Sequence, residues 1–375
     1  MSKSILFVHQ GYELYGSDRT FIQSVAAARA RWPDARITVL IPQDGPLRNA
    51  LLELVSDLRI ENLAILRKSD LKKMQLGSIG GFVRKIFKAR KQMRAYDVTY
   101  INTVIVMDYM FAGRLSWRPR ILHVHEIPTG VARIFFSMMA ALSGAFLVFN
   151  SEATRRSFLL LPWQRSSVVW NGVASRGVGH AKVPQGKLRF LLIGRINSWK
   201  GQGLVLRAIA QLPAEVRDRI SVRFVGGVFG DQDHFTQELV RLIGELQLSG
   251  IVEMCPFVPD PSAHYEWADV VLVPSTKPEP FGLVAIEAMA TGCAVIVANH
   301  GGLAEIVVDG VTGTFVVPGE VDSLSAAITS YVENPARAKA EGIAGRERFT
   351  QVFEESHYKT KIADIIAELG GPAWT

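Results

Sequence analysis

Short apolar runs rich in Val, Ile and Leu alternate with helical patterns along nearly the whole chain, and this alternation limits the fold more than any other feature. Runs this short and this apolar read as strands buried on both faces. They predict strands at Ile5–Val8, Ile37–Ile41, Val98–Asn102, Ile121–Val124, Ala145–Phe149 and Val168–Trp170. A second series follows at Arg189–Ile193, Val222–Val225, Val252–Cys255, Val270–Val273, Ala294–Ala298 and Thr314–Val317. Helical patterns such as Gly203–Leu212 and Phe235–Leu246 lie between most of them, and the tail Ala336–Leu369 is helical in pattern. Strand–helix alternation predicts parallel sheets covered by helices on both faces. The two series are separated by Asn171–Lys187, where Gly172, Gly177, Gly179, Pro184 and Gly186 stand among few apolar residues, a linker pattern. The expectation is an α/β protein of two doubly wound domains facing each other across a cleft, 1–175 and 176–353. Ligands of such sheets bind at the carboxyl ends of the strands, so the loops after the strands are where chemistry is sought.

Composition narrows the class. The chain has 375 residues, 48% hydrophobic and 21% charged, which suits a globular protein of two ordinary domains. Its two cysteines, Cys255 and Cys293, have neither metal nor redox spacing, which points to a reducing compartment. The N-terminus passes from Met1-Ser2-Lys3-Ser4 straight into a strand-like run, without a signal-peptide core. The uncharged stretch Ile134–Asn150 is broken by Ser137, Ser143 and Gly144 and reads as a buried helix followed by a strand. A cytoplasmic location is expected.

Net charge is +7, which favours anionic partners. Arg84, Lys85, Lys88, Arg90, Lys91 and Arg94 occur with no acid among them, interleaved with Ile79, Phe82, Val83, Ile86, Phe87 and Met93 at helical spacing. Two readings of 79–94 stand side by side: a basic amphipathic helix on an anionic membrane surface, or a solvated helix packed on its own domain. The segment matches no nucleic-acid-binding module, so no nucleic-acid partner is expected.

Two stretches carry the chemistry. After the strand Arg189–Ile193 comes Gly194-Arg195-Ile196-Asn197-Ser198-Trp199-Lys200-Gly201, where Gly194 permits a tight exit from the strand. Arg195 and Lys200 put two cations at the start of the next helix, a pairing suited to a diphosphate. The competing reading is two surface cations in a loop. Further on, Glu279 stands just before a predicted helix that opens at Phe281-Gly282-Leu283-Val284, and Glu287 lies inside it among Ala285, Ile286, Ala288 and Met289. A carboxylate on so apolar a helix needs a partner, and no Lys or Arg occurs between Lys277 and Arg337. A ligand's vicinal hydroxyls, such as a ribose diol, would serve.

Taken in order, Gly194-Arg195, Lys200-Gly201, Glu279 and Glu287 resemble the pattern of the retaining glycosyltransferase family four, of the GT-B fold. Asn171-Gly172-Val173, Gly301-Gly302-Leu303-Ala304-Glu305 and Asp309-Gly310-Val311-Thr312-Gly313 extend the resemblance nearly end to end. The resemblance implies two Rossmann-like domains, with C-terminal helices (354–375) packing back on the first. It implies that Arg195 and Lys200 hold the donor's diphosphate, Glu287 the ribose and Glu279 the donor sugar. Backbone N–H groups of Phe281, Gly282, Leu283 and Val284 would face phosphate and sugar.

The same resemblance gives roles to the N-terminal half. Tyr15-Gly16-Ser17-Asp18-Arg19 stands where the family has a Gly-Gly-Ala-Glu-Arg-like loop, so Gly16 would keep the close approach to the donor. Alternatively Ser17 or Asp18 caps the following helix. In His123-Val124-His125-Glu126, His125 matches the family's active-site histidine, with His123 on the same strand face as second choice. Asp231-Gln232-Asp233 reads as helix capping rather than a metal motif, and neither G-x-G-x-x-G nor a P-loop occurs. The implied activity is metal-independent, cofactor-free transfer of a sugar from a nucleotide diphosphate, with retention. The acceptor would be a hydroxyl of a lipid-linked or membrane-proximal glycan in bacterial surface polysaccharide or lipopolysaccharide synthesis. A soluble small-molecule acceptor and a non-catalytic sugar-nucleotide-binding subunit are the alternatives.

Overall fold

The structure is a computed structural model that describes residues 3–66, 79–175, 186–228 and 232–374. The chain forms two compact units, Met1–Gly172 with Glu355–Thr375, and Val173–Glu354. The first contains β1 (Ser4–His9), β2 (Arg36–Ile41), β3 (Asp57–Ile60), β4 (Val98–Asn102), β5 (Arg120–Val124), β6 (Phe146–Phe149) and β7 (Ser166–Val168). The second contains β8 (Leu188–Ile193), β9 (Ile220–Val225), β10 (Val252–Cys255), β11 (Val270–Val273), β12 (Ala294–Ala298) and β13 (Thr314–Val316). Their orders are β3-β2-β1-β4-β5-β6-β7 and β10-β9-β8-β11-β12-β13. All the pairings are parallel.

The pattern of β1 explains why such sequences form these sheets. Its side chains alternate, Ile5 and Phe7 joining one apolar cluster and Leu6 and Val8 another. Parallel neighbours cannot be joined by a tight turn, so a crossover must cover a face of the sheet between them. In each unit the winding reverses once, between β1 and β4 and between β8 and β11. At such a reversal successive crossovers leave on opposite faces, and a crevice opens at the carboxyl ends of the strands.

Helix Glu355–Gly370 belongs to the first unit's core. Tyr358, Ile362 and Ile366 pack in the cluster that holds Phe7 and Phe21. The Tyr358 hydroxyl lies 2.6 Å from Ser24 Oγ, and Trp374 meets Trp32 edge-on at 5.0 Å. The chain leaves and returns at adjacent points, because Val173 N–H donates to the Phe353 carbonyl (3.1 Å) and Val173 pairs with Glu354.

Several expectations need correction. The crossover points fall at Gly172 and Glu354. Strand β3 was not expected, since Asp-Leu-Arg-Ile is a short alternating stretch rather than a continuous apolar run and sits half-exposed at the sheet's edge. The last strand of the first series ends at Val168 rather than Trp170, although Val169 still donates to the Phe149 carbonyl at 2.8 Å. The helical tail is interrupted: Pro335–Arg348 runs into a π turn at Phe349–Phe353, and extended Glu354 separates it from the last helix. Gly177, Gly179, Pro184, Gly230 and Asp231 lie outside the described residues. Ile134–Asn150 is the end of helix Gly130–Ser143 followed by β6, and no helix among the described residues is long and apolar enough to cross a membrane.

Candidate active site

In the second unit, three loops meet at the carboxyl ends of the adjacent strands β8, β11 and β12. Thr276 N–H donates to the Trp199 carbonyl, Gly302 N–H to the Glu279 carbonyl, and His300 Nε2–H to the Ser275 carbonyl, each at 2.8 Å. Gly194 leaves β8 with φ of +147°. Asn197 Oδ1 then accepts from the N–H groups of Trp199 and Lys200, both at 3.0 Å, a side-chain turn that aims Lys200 back across the strand ends. Lys200 Nζ lies 2.8 Å from Glu279 Oε1, and the Ser275 hydroxyl donates to the same oxygen. The two charged side chains are only 18% and 7% exposed, so water screens the pair weakly. Thus two predicted donor-site residues meet each other directly. Lys200 also lies over the Trp199 ring, 4.6 Å from its centroid. Arg195 is half-buried between Gly194 and Lys200, and its carbonyl accepts from Gln202 Nε2 at 3.1 Å.

Helix Leu283–Thr291 starts from the loop that carries Glu279. The first N–H groups of a helix lack intrahelical acceptors and concentrate positive potential at that end. Phe281 turns its side chain inward, 3% exposed and 6.1 Å from Phe353, so only its backbone can serve a ligand. Glu287 is also buried, and Tyr265 donates its hydroxyl to Glu287 Oε2 at 2.7 Å. The partner expected to come from a ligand is therefore supplied in part by a phenol of the chain itself.

In the first unit, polar residues line up at the carboxyl ends of neighbouring strands. His9 ends β1, Asn102 ends β4, His125 follows β5 and Asn150 follows β6. The register places His9 beside Asn102, and Asn102 beside His123. His125 Nε2 lies 3.0 Å from Asn102 Oδ1, Asn102 Nδ2 lies 2.9 Å from His9 Nδ1, and His9 Nε2 lies 2.7 Å from Asp18 Oδ1. On its other side His125 Nδ1 is 3.5 Å from Asn150 Nδ2. Asp18 Oδ2 accepts from Tyr15 N–H (2.9 Å), so Asp18 both caps helix Gly16–Arg31 and holds His9. Gly11 makes room for that contact: a Cβ there would stand 1.9 Å from Asp18 Oδ1 and 2.7 Å from His9 Nε2. Gly16, the predicted close-approach residue, is the first residue of the helix, and its carbonyl accepts from the Thr20 hydroxyl at 3.1 Å.

His123 and His125 lie ring to ring, 4.0 Å between centroids. His123 is fully buried and bonds Tyr100 through Nδ1, so His125 is the one of the two that can reach a ligand. Burial, with His9 nearby, lowers the pKa of His125 to about 3, so it is neutral at physiological pH. Burial raises Glu126 to about 7, although the N–H of His125 donates to its carboxylate at 3.0 Å.

Sequence reasoning overlooked His9, Asn102, Asn150, Tyr265 and His300. The first two had a usable signal, a polar residue closing an apolar strand. Among the described residues no group of three His, Cys, Asp or Glu side chains is arranged to hold a metal ion. Asp233 begins helix Asp233–Glu245.

Comparison with known proteins follows the same lines. The family described as "Glycosyl transferases group 1" matches residues 180–348. A D-inositol 3-phosphate glycosyltransferase of Streptosporangium roseum is 32% identical over 339 residues, covering 80% of this chain and 76% of the relative. A glycogen synthase of Mycobacterium tuberculosis is 30% identical over 285 residues; the match covers 72% of this chain but only 63% of that protein's length. Among solved structures, Anabaena Alr3699/HepE in complex with UDP and glucose superposes with a TM-score of 0.80 at 23% identity, over 96% of this chain and 98% of that one.

Two predictions come from this geometry. Lys200→Ala strands the buried Glu279 carboxylate and should cost about 3 kcal/mol of stability, of which the Lys200→Ala/Glu279→Gln double variant recovers most. Urea melts measure this, and wild-type stability in Lys200→Ala would mean that solvent screens the pair. The second concerns pH. A histidine with a depressed folded pKa binds fewer protons folded than unfolded, so its contribution to stability is lost as pH falls below about 6.5. From about pH 7 to about pH 5 the native protein should lose about 2 kcal/mol through His125, and His125→Asn should lack that loss. Parallel slopes for the two proteins would contradict it. Glu126 acts in the opposite sense, destabilising as pH rises from about 4.5 toward 7.

Proposed function

The chain belongs to the group 1 glycosyltransferases, and from that premise we propose that it moves a glycosyl group from a nucleotide-diphosphate sugar to a hydroxyl, with retention and without a metal ion. The observation that carries the reading is the buried Lys200–Glu279 pair, seated where the second sheet reverses its winding and beside the start of helix Leu283–Thr291. In this reading Arg195 and Lys200 neutralise the diphosphate as it departs, with the backbone N–H groups of 281–284 aimed at the same charge. Glu279 accepts from a hydroxyl of the donor sugar and Glu287 from the ribose. His125 meets the donor sugar, and Gly16 lies near its phosphate. The bond between the anomeric carbon and the phosphate oxygen breaks as the acceptor oxygen attacks from the same face. The leaving phosphate takes the acceptor's proton, so no protein nucleophile is needed. A non-catalytic sugar-nucleotide-binding subunit could use the same charges to hold the donor, and turnover of the donor by the purified protein separates the two readings.

The acceptor we propose is a lipid-linked or membrane-proximal glycan of surface polysaccharide synthesis, reached by a protein peripheral to the cytoplasmic face of the membrane. Helix Ile79–Arg94 forms as expected, and Arg84, Val83, Phe87 and Lys91 are exposed on it. Other cations of the segment are engaged within the unit: Lys85 with Asn62 (2.9 Å), Lys88 with Glu61 (2.6 Å), and Arg94 over the Trp117 ring (3.9 Å). The larger apolar exposure lies on helix Gly130–Ser143, where Val131 and Ile134 are 83% and 61% exposed; Trp163, later in the same unit, is 75% exposed. Exposed apolar side chains among cations suit an anionic lipid interface. A soluble acceptor is the second reading, favoured by relatives named for glycogen and inositol phosphate.

Arg195→Ala should lower kcat/KM for a nucleotide-sugar donor by about 10²–10³-fold in protein that still folds. The assay is release of nucleoside diphosphate from UDP-, GDP- and dTDP-sugars, with the product anomer read by NMR. Unchanged turnover, or an inverted anomer, would refute the assignment. Wild-type protein should co-sediment with phosphatidylglycerol vesicles, and Val131→Ser/Ile134→Ser or high salt should abolish this. Wild-type protein that stays in the supernatant would favour the soluble acceptor.

A further inference from the structure

The hydrogen-bond chain behind His125 has a direction that its donors and acceptors set when the His9 ring is neutral. Asp18 stands at one end, and its carboxylate can only accept. Both of its oxygens are used that way, Oδ2 by the Tyr15 N–H and Oδ1 by His9 Nε2. His9 Nε2 must therefore carry a hydrogen. In the neutral ring Nδ1 is then an acceptor, and Asn102 turns its amide nitrogen toward it at 2.9 Å. The Asn102 oxygen is thereby committed to His125, whose Nε2 must carry a hydrogen to donate across 3.0 Å. His125 Nδ1 is left as the lone-pair side. Its one neighbour there is the Asn150 amide at the long distance of 3.5 Å, and the Asn150 oxygen is held by the Thr154 hydroxyl at 2.7 Å.

We propose that Asp18 is a positioning residue which, acting through His9 and Asn102, locks His125 as the neutral Nε2–H tautomer, leaving Nδ1 to accept a hydrogen bond from a substrate hydroxyl. The inference rests on the reading of His125 as the active-site histidine, and it deepens that reading by fixing which ring atom faces the ligand and with which polarity. The chain is built rather than incidental. His9 and Asp18 are 0% and 3% exposed and Asn102 is 0% exposed. The His9 ring stacks on Phe21 at 4.4 Å, which fixes its plane. Gly11 is the space that the Asp18–His9 contact requires. Titratable groups around His125 are His9 and Asp18 from β1 and the first helix, and His123 and Glu126 from its own segment; Tyr100 from β4 and Tyr358 from the last helix face His123. A second proton on His9 would make its Nδ1 a donor, reverse Asn102 and impose the opposite tautomer on His125.

Imidazole nitrogen NMR on histidine-labelled protein reads the tautomer directly and needs no substrate. In wild-type protein His125 should carry its hydrogen on Nε2 alone, near neutral pH. Asn102→Leu removes the acceptor, so His125 should become a mixture of tautomers, and kcat for transfer should fall by about 10- to 100-fold with KM for the donor little changed. Asn102→Asp restores an acceptor for the Nε2 hydrogen. It should return the single tautomer and much of kcat, and raise the pKa of His125. Asp18→Asn should broaden the tautomer population while leaving helix Gly16–Arg31 capped. An Nδ1–H form in wild-type protein, or a single Nε2–H form that survives in both Asn102→Leu and Asp18→Asn, would overturn the proposal. Should Asn102→Leu not fold, the Asp18→Asn and Asn102→Asp spectra decide. Absence of turnover with every nucleotide sugar would defeat the glycosyltransferase reading alone, since the spectra stand without it.

Discussion

Parallel strand pairing is the constraint from which the rest of this protein follows. A parallel neighbour can be reached only by a crossover, and a crossover needs an element that packs on the sheet. Both faces are thereby covered, and the strands become continuous apolar runs such as β1 and β12, every residue of which is buried. Polar chemistry is excluded from the faces and appears where the strands end. All strands of each sheet point the same way, so those ends are gathered along one edge. His9, Asn102, His125 and Asn150 are neighbours for this reason alone, although 141 positions separate the first from the last in the sequence. Lys200 and Glu279, 79 positions apart, meet for the same reason in the second unit.

The two units use their strand ends in different electrical styles. In the second, charge is concentrated and partly buried, with the ion pair, the Ser275 hydroxyl and the helix start held close together. Catalysis by preorganised charge depends on such an arrangement, because the dipoles need not reorient as the diphosphate departs. In the proposed transfer the pair has a cost: a donor phosphate would compete with Glu279 for Lys200. A lysine ammonium carries three donors on a flexible stem, so it can share its hydrogens among two oxygens where a guanidinium would be held in one plane.

Much of this was legible in the sequence, for identifiable reasons. Continuous Val/Ile/Leu runs mark buried parallel strands, so nearly every strand was visible. β3 was not, because Asp57 and Arg59 break its apolar pattern at the exposed sheet edge. Arg195 and Lys200 stood out beside glycines, Glu287 inside an apolar helix and Glu279 just before it. The partners of those charges did not. Tyr265 reaches Glu287 from a helix that precedes β11, a contact only the folded chain defines. His9 and Asn102 were overlooked because each reads as the polar end of a strand, and Gly11 because its conformation is ordinary and only the approach of Asp18 makes a side chain there impossible.

The strand ends around His125 in the first unit are built mainly from dipoles. In the proposed transfer, the departing phosphate takes the acceptor's proton, so a basic side chain would be redundant. A cationic histidine beside the reacting sugar would add charge where only hydroxyl contacts are wanted. Burial already disfavours the imidazolium of His125, and the amides of Asn102 and Asn150 flank it with dipoles rather than ions. The nearest anion in the hydrogen-bond chain, Asp18, is kept two side chains away. At that distance it imposes polarity through the relay of N–H donors without placing a negative charge next to the ring, which would raise the pKa of His125. The interposed His9 and Asn102 thus separate two effects that a direct carboxylate partner would combine: orienting the imidazole, and raising its pKa.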